Sequence, residues 1–307
     1  MPRTPKFKAS ISALLLTGVL AIGLSGCKAP SSTQTPSDTA TQNAPQNKVE
    51  AKLPPIRTAL SCLPDSAAII AAHRGTDERW RDTAENSIGG LKALIDHGTL
   101  MAEIDVAGLK DGTLITFHDG VWDEISTGRG PIASSQKSDL DKILLKSRAG
   151  ELTTDRPPLF ADMLAAAKGK IYIEVDFKSS AKFRPVIKAI RDADMADQVL
   201  LIAYSSGQAE QLARLAPEML RSNPKDAAKK GHAVWLGYDV ANGQTAARLK
   251  DTGHYTIGRI GDPNRQPPLR ALQTAADILV TDQAERYEGV IGLKGRAKAD
   301  YEACLAG

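Results

Sequence analysis

The order of short apolar segments along the chain most constrains its fold. Eight segments have the length and composition of strands, and most are separated by stretches in which apolar residues recur at helical spacing. These candidate strands are residues 67–73, 100–106, 114–118, 171–177, 199–204, 219–221, 255–260 and 278–281. Eight strands alternating with helices in about 250 residues predict an α/β fold, a TIM-type (β/α)8 barrel. An open dinucleotide-binding sheet is disfavoured because no glycine-rich loop follows the first strand.

Two of the candidate strands carry carboxylates on one face. Because side chains alternate between the faces of a strand, Glu174 and Asp176 share the face opposite the aliphatic residues of their strand. Glu103 and Asp105 share one face of an earlier strand in the same way. In a barrel the aliphatic face packs outward against the helices, so we expect the carboxylates to point into the lumen or its mouth.

A group of neighbouring buried carboxylates needs a compensating charge. Such carboxylates repel one another and are poorly solvated, and a bound cation or a hydrogen-bond donor removes that cost. Oxygen ligands without the spacing of a histidine and cysteine site favour one hard divalent cation, Mg²⁺ or Ca²⁺, over zinc. The sequence leaves the choice between these two ions open.

Two histidines, His73 and His118, each end a candidate strand. The active sites of barrels lie at the C-terminal ends of their strands. Either histidine on its own would be interpreted as an ordinary loop residue without a role in catalysis. Together with the inward carboxylates, the two histidines indicate a general acid and a general base.

An ordered set of short motifs extends over the whole folded part of the chain. These motifs are His73-Arg74-Gly75, Glu85-Asn86-Ser87, Glu103-Ile104-Asp105-Val106, Lys110-Asp111-Gly112, His118-Asp119, Glu174 and Thr281-Asp282. In order and spacing the set resembles the glycerophosphodiester phosphodiesterases. The resemblance implies a TIM barrel that hydrolyses a small-molecule glycerophosphodiester to sn-glycerol 3-phosphate and an alcohol.

The same resemblance implies roles for individual residues. One divalent cation would be held by three carboxylates, those of Glu103, Asp105 and Glu174. We expect His73 to act as the base and His118 as the acid that protonates the leaving alcohol, although the motifs leave the reverse order open. Arg74 would neutralise the phosphoryl oxygens together with the cation.

The chain departs from the family pattern just before its first helix. The family's Pro-Glu-Asn-Thr appears here as Ala-Glu-Asn-Ser at residues 84–87. Glu85 would bind the metal or orient its neighbours, and Asn86 would serve either the site or the cap of the helix. Both residues are therefore candidates for substrate binding or for support of the catalytic groups.

A second departure lies on the strand that carries Glu174. The family's Glu-x-Lys appears as Glu174-x-Asp176, with Lys178 two residues further along the same face. Lys178 would then supply the missing positive charge, or Asp176 would alter the preference for metal or head group. We place Asp176 and Lys178 with the candidate substrate-binding or supporting residues.

The amino terminus has the pattern of an export signal. Positive charge in residues 2–8 precedes a short apolar run at residues 11–24, whereas a membrane-spanning helix needs about 20 apolar residues. The string Leu-Ser-Gly-Cys ending at Cys27 resembles the bacterial lipobox, which implies cleavage before Cys27 and lipid attachment to it. The chain would then be exported and lipid-anchored at a bacterial membrane, on the periplasmic face in a Gram-negative cell. An ordinary secretory signal with a stray cysteine is the alternative.

These features divide the chain into three segments. Residues 1–26 are predicted to be a lipoprotein signal peptide, and residues 27–55 the lipidated cysteine and a flexible linker. Residues 56–307 are predicted to form the phosphodiesterase barrel. Cys62 and Cys304 lie near the two ends of that barrel, where they would form a disulfide in an oxidising compartment or remain two separately buried thiols.

The remaining alternatives concern partners and chemistry. The net charge of +3 arises partly in the signal, and no basic run with interleaved aromatic residues follows, so we predict no nucleic-acid partner. No protein partner is predicted either. A sphingomyelinase D-like phospholipase, which resembles the family in fold and metal site, would instead form a cyclic phosphate. A catalytically silent lipoprotein that binds phosphate esters is the remaining, non-enzymatic alternative.

Overall fold

Nine strands are present in the computed structural model, which describes residues 53–225, 229, 231–237, 243–261 and 276–307. They are β1 (Ile69–Ala72), β2 (Met101–Gly108), β3 (Leu114–Thr116), β4 (Tyr172–Phe177), β5 (Val199–Leu201), β6 (Leu220–Asn223), β7 (Ala233–Gly237), β8 (Tyr255–Ile260) and β9 (Ile278–Thr281). Every strand except β3 pairs in parallel in the order β1-β2-β4-β5-β6-β7-β8-β9, and β9 pairs with β1 to close the ring. The predicted (β/α)8 barrel is confirmed.

The alternation of side chains along β2 shows how the barrel separates its two cores. Ile104 and Val106 point outward into the apolar layer shared with the helices, and both are fully buried. Met101 points inward and packs in the interior core with Tyr172 of β4. Glu103 follows Met101 on the inward face, as predicted. Aliphatic residues therefore fill the lower part of the barrel, and polar residues are left to line its upper end.

Helices cover the outside of the barrel and close its lower end. They are α1 (Ile56–Ser61), α2 (Ile88–His97), α3 (Phe160–Ala167), α4 (Phe183–Asp192), α5 (Ser206–Leu215), α6 (Gly243–Asp251), α7 (Ala284–Ile291) and α8 (Gly295–Ala306). Short 3-10 turns occur at His73–Gly75, Ile132–Ser134 and Lys137–Lys142. Among the described residues, no helix combines the length and the apolar character that crossing a membrane requires.

Helix α2 illustrates how local sequence sets the bounds of a helix. Its N-cap is Ser87, whose hydroxyl accepts a hydrogen bond from the backbone N–H of Gly90 at 2.9 Å. It ends at Gly98, which adopts φ 88°, a left-handed conformation that glycine reaches without steric cost. Leu91 and Leu94 share its buried face, and burying each leucine contributes roughly 1.5–3 kcal/mol to stability.

One predicted barrel strand lies outside the ring and one barrel strand was not predicted, although the total of eight barrel strands was right. Residues 114–118 were counted in the barrel, but β3 covers only Leu114–Thr116 and pairs antiparallel with β2 outside the ring. The strand Ala233–Gly237, which takes the missing place between β6 and β8, was not predicted. A three-residue apolar strand looks the same in sequence whether it lies in a ring or beside it, because the distinction depends on long-range pairing.

The two cysteines of the folded part form a disulfide at the lower end of the barrel. Cys62 follows α1 and Cys304 lies in α8, and their Cα atoms are 5.6 Å apart. The bridge therefore joins the beginning of the barrel domain to its last helix. The predicted signal peptide, the predicted lipidation site at Cys27 and nearly all of the predicted linker lie outside the described residues.

Candidate active site

The predicted histidines and most of the predicted carboxylates line one cavity at the C-terminal ends of the barrel strands. This cavity has a volume of about 290 Å³. Its lining includes both histidines and three carboxylates, namely His73, His118, Glu103, Asp105 and Asp176. A larger cavity of about 850 Å³ lies at the opposite end of the barrel, beside Leu100 and Tyr301. The smaller cavity is the candidate active site, because the titratable groups converge there.

The turn after β1 positions the first histidine and an arginine. Arg74 adopts φ 57°, and its backbone N–H donates to Glu103 Oε2 at 2.9 Å. A left-handed conformation in a residue other than glycine costs about 1–3 kcal/mol, which the surrounding contacts must offset. Gly75 also has a positive φ, of 66°, and a Cβ there would lie 2.6 Å from Ile104 Cδ1. The turn therefore favours glycine at position 75, and it directs His73 and Arg74 toward the carboxylates of β2.

Four carboxylates face one another across β2 and β4. In this strand pair Glu103 lies opposite Glu174, and Asp105 lies opposite Asp176. Carboxylate oxygens of Glu103, Asp105 and Asp176 all lie within 4.8 Å of one another, so these three residues could hold a metal ion. Burial, and next the charge of Asp105, raises the pKa of Glu103 well above its usual value.

Glu174, predicted as the third metal ligand, occupies a deeper position. Its side chain is fully buried, and within the described part of the chain neither carboxylate oxygen has a hydrogen-bond partner. Burial raises the pKa of Glu174 to about 8, with a further contribution from Asp176 and an opposing one from Arg259. The geometry groups Asp176, rather than Glu174, with Glu103 and Asp105.

Asp105 is held on both oxygens by neighbouring donors. Lys178 Nζ lies 2.6 Å from Oδ1 and also 2.8 Å from Asp176 Oδ2. Asn86 Nδ2 donates to Asp105 Oδ2 at 2.7 Å, and the Asp105 backbone N–H donates back to Asn86 Oδ1 at 2.9 Å. Burial alone would raise the pKa of Asp105, but the charge of Lys178 and these hydrogen bonds lower it below its usual value.

His73 lies between a carboxylate and a guanidinium. Its Nδ1 is 2.7 Å from Asp282 Oδ1, and Arg259 Nη1 is 2.9 Å from its Nε2. An ionised carboxylate only accepts hydrogen bonds and a guanidinium only donates them, so His73 carries its proton on Nδ1 and an electron pair on Nε2. Burial lowers the pKa of His73, Asp282 opposes that shift, and the charges of Arg259 and Arg74 add to it.

His118 has the same kind of surroundings. Its Nδ1 is 2.6 Å from Asp119 Oδ1, and Arg74 Nη2 is 2.9 Å from its Nε2. The partners therefore assign the same tautomer as in His73, with the proton on Nδ1. The two histidines of the site are thus held in the same way: an aspartate orients each imidazole through Nδ1, and an arginine contacts its Nε2 atom.

The glutamate and serine of the Ala-Glu-Asn-Ser segment have separate tasks. Glu85 Oε1 accepts from Arg74 Nη1 at 2.9 Å, and Glu85 Oε2 lies 3.6 Å from Arg148 Nε. Glu85 therefore balances two arginines and is not among the three carboxylates that converge. Ser87 caps α2, whereas Asn86 adopts φ 54° and holds Asp105.

Several site residues were not predicted from the sequence. Arg148, Arg259, Tyr204 and Trp235 were missed, and Asp282 was named only within the Thr281-Asp282 motif, without a role in the site. Arg148 Nη1 donates to Asp282 Oδ1 at 2.6 Å, and both Tyr204 and Trp235 line the cavity. Alternation within β8 carried a signal for Arg259, which shares the inward face with the buried Ile257. Arg148 lies in an irregular segment that offered no such periodicity.

The donor set fits a hard divalent cation. Asp176 Oδ1 and both oxygens of Glu174 are buried without a hydrogen-bond partner among the described residues. Lys178 is the basic group that contacts the Asp105 and Asp176 carboxylates. Buried oxygen ligands of this kind bind Mg²⁺ or Ca²⁺ in proteins, and their mutual repulsion is relieved by the cation.

Comparison with known proteins identifies a family and relatives that this chain is similar to. Residues 73–214 match the model of the glycerophosphoryl diester phosphodiesterase family. A glycerophosphodiester phosphodiesterase of Caldanaerobacter subterraneus is 23% identical over 158 residues, which are 49% of this chain and 64% of the relative. The aligned part thus spans just under two thirds of that relative. The family match at residues 73–214 contains both histidines and all four inward carboxylates.

Solved structures share the fold over most of the chain. A glycerophosphoryl diester phosphodiesterase from Parabacteroides distasonis superposes with a TM-score of 0.68 at 18% identity, over 78% of this chain and 93% of its own. A phosphodiesterase from Oleispira antarctica, solved with its product sn-glycerol-3-phosphate, gives a TM-score of 0.60 at 18% identity over 76% and 98% of the two chains. At this identity the likeness establishes the barrel fold.

Proposed function

Because residues 73–214 belong to the glycerophosphoryl diester phosphodiesterase family, we propose that this chain hydrolyses glycerophosphodiesters to sn-glycerol 3-phosphate and an alcohol. The observation that carries the proposal is the pair of oriented imidazoles, His73 and His118, in one cavity with a cluster of converging carboxylates. The product bound to the Oleispira antarctica phosphodiesterase supports the substrate class.

One divalent cation, Mg²⁺ or Ca²⁺, takes part in the proposed reaction. Glu103 and Asp105 would hold it, with Asp176 as the third ligand by geometry or Glu174 by the family resemblance. When bound, the cation supplies positive charge that stabilises the developing charge on the phosphoryl oxygens. Lys178 would then remain beside the carboxylates as a second positive charge.

The two imidazoles divide the proton transfers. Water attacks phosphorus while His73 Nε2 takes one of its protons, a role that suits the electron pair on that atom. The bond from phosphorus to the alcohol oxygen breaks, and that oxygen takes a proton from His118 Nε2. His118 must first carry a proton on Nε2, so Arg74 turns from this atom to a phosphoryl oxygen.

Product analysis tests the proposal against the sphingomyelinase D-like alternative. Phosphorus NMR of glycerophosphocholine incubated with the enzyme should show free sn-glycerol 3-phosphate and no cyclic phosphate. A cyclic phosphate formed from lysophosphatidylcholine, with no turnover of glycerophosphocholine, would favour the alternative instead.

The proposed location follows from the amino terminus. The lipobox-like string implies an exported protein that is anchored to a bacterial membrane through the lipid on Cys27. Membrane fractionation of cells fed with labelled palmitate tests this location, since wild type should be labelled and sediment with membranes. Cys27→Ala should lose the label, and a labelled variant would contradict lipid attachment at that residue.

A further inference from the structure

We infer that Arg259 is a substrate-binding residue that contacts the anionic phosphoryl group of the glycerophosphodiester. The inference rests on the proposed function and adds a contact to it. Arg259 lies on β8, lines the same cavity as both histidines, and reaches His73 across the barrel mouth.

The ion pairs of the site show why Arg259 differs from the other cations. Arg74 lies 2.9 Å from Glu85, and Arg148 lies 2.6 Å from Asp282. Each of these guanidinium groups is thus already paired with a carboxylate. Lys178 is likewise within 2.8 Å of two carboxylates.

Among the residues that the structure describes, Arg259 has no comparably close carboxylate. Among the described residues, its ion pair within 4.0 Å is to Asp282 Oδ2, at the full 4.0 Å. The other oxygen of Asp282 accepts from both Arg148 and His73. Among the four cations around the cavity, Arg259 is therefore the one whose charge is least neutralised by ion pairs with described residues, and this charge is available to an incoming anion.

The contacts that Arg259 makes are weak ones for a guanidinium. Its Nη1 donates to His73 Nε2 at 2.9 Å, and its Nη2 lies 3.3 Å from His73 Nδ1, whose own proton is directed at Asp282. A neutral imidazole is a poorer acceptor than an ionised oxygen. A phosphoryl group offers two ionised oxygens in the geometry that matches the fork of a guanidinium.

Movement of Arg259 onto the phosphoryl group has a second consequence. Its donor group would leave His73 Nε2, the atom to which the proposed reaction assigns the uptake of a proton from water. Substrate binding would thus uncover the base at the moment the substrate arrives. A quarter of the Arg259 side chain is exposed, which leaves room for this change of partner.

Calorimetry tests the inference. It measures the binding of sn-glycerol 3-phosphate and of glycerol to the whole protein, with and without EDTA. Arg259→Gln should bind sn-glycerol 3-phosphate about 10- to 100-fold more weakly, as expected when a charged hydrogen bond is lost, and bind glycerol like wild type. Arg259→Lys should recover part of the affinity, because it restores the charge without the fork. Arg214→Gln, a change on the exposed surface of α5, is the matched control and should bind both probes like wild type.

Wild-type affinity of folded Arg259→Gln for sn-glycerol 3-phosphate would overturn the inference, as would an equal loss of affinity for glycerol. Thermal unfolding establishes whether each variant is folded. If Arg259→Gln does not fold, the affinity of Arg259→Lys for sn-glycerol 3-phosphate provides the test instead. Failure of the proposed function has a different signature, namely a wild-type enzyme that does not turn over glycerophosphocholine although the Arg259 variants lose phosphate affinity.

Discussion

Asp282 Oδ1 accepts a hydrogen bond from His73 Nδ1 over 2.7 Å, and this contact determines which face of the imidazole can do chemistry. With Nδ1 protonated, Nε2 carries the free electron pair and is the ring atom that can take a proton from water. Asp282 also accepts from Arg148 over 2.6 Å, and His73, with Arg148, lowers the pKa of Asp282 well below its usual range despite burial. The carboxylate therefore remains ionised at neutral pH and orients the histidine.

Asp282→Asn should lower kcat about 100- to 1,000-fold, because an amide can donate to Nδ1 and so favour the wrong tautomer of His73. Steady-state kinetics with glycerophosphocholine measures the effect. Arg148→Gln is the control, since it removes the ion pair but keeps the carboxylate on His73. The assignment fails if Asp282→Asn keeps wild-type kcat or if Arg148→Gln loses as much.

The roles of the two histidines predict opposite responses to the leaving group. His118→Ala should lose about 100- to 10,000-fold with a choline leaving group, but regain much of its rate with p-nitrophenol, which departs without a proton. His73→Ala should lose the same factor with both substrates. A series of leaving groups measured on both variants supplies the comparison. If rescue occurs in His73→Ala instead, the two roles must be exchanged.

The third metal ligand can be identified by affinity. Asp176→Asn should weaken Ca²⁺ and Mg²⁺ binding by at least about 10-fold, because the Asp176 carboxylate lies with Glu103 and Asp105. Glu174→Gln should weaken it less, since the Glu174 carboxylate is not among the three that converge. Calorimetry on both variants decides the matter. The reverse order of effects would restore Glu174 as the ligand that the family resemblance implies.

Much of this site follows from local sequence alone. Alternation along two strands was enough to place Glu103, Asp105, Glu174 and Asp176 inside the barrel, because the strand period is two and the opposite face is aliphatic. The histidines were recognisable as strand ends. These features depend on residues within a few positions of one another.

The contacts between distant segments could not be predicted in the same way. Asp282 lies 209 residues from His73 in sequence, and Arg259 lies 186 residues from it. Nothing in the local pattern of either segment states which strand ends will become neighbours. The sequence also could not predict that Asp176, rather than Glu174, would lie with Glu103 and Asp105. Asp176 and Glu174 share one strand face, and they differ only in their depth in the barrel.

His232, far from the proposed chemistry, should make stability depend on pH. Burial lowers its pKa to about 4, with further lowering by the charges of Arg221, Arg57 and Lys229. Between that value and about 6.5 the unfolded chain binds the extra proton and the folded chain does not, so the free energy of unfolding should rise with pH across this window. His232→Asn should flatten the rise when urea unfolding is measured at pH 5 and pH 7. An unchanged pH dependence in the variant would exclude His232 as its source.

Turnover of glycerophosphocholine with and without a chelator tests the central claim most directly. Enzyme stripped with EDTA should form no sn-glycerol 3-phosphate, and activity should return when Mg²⁺ or Ca²⁺ is added in excess. Glu103→Gln, which removes one of the three converging carboxylates, should stay inactive after the same addition. Full turnover in the presence of EDTA, or none in the metal-loaded wild type, would contradict a metal-dependent glycerophosphodiester phosphodiesterase.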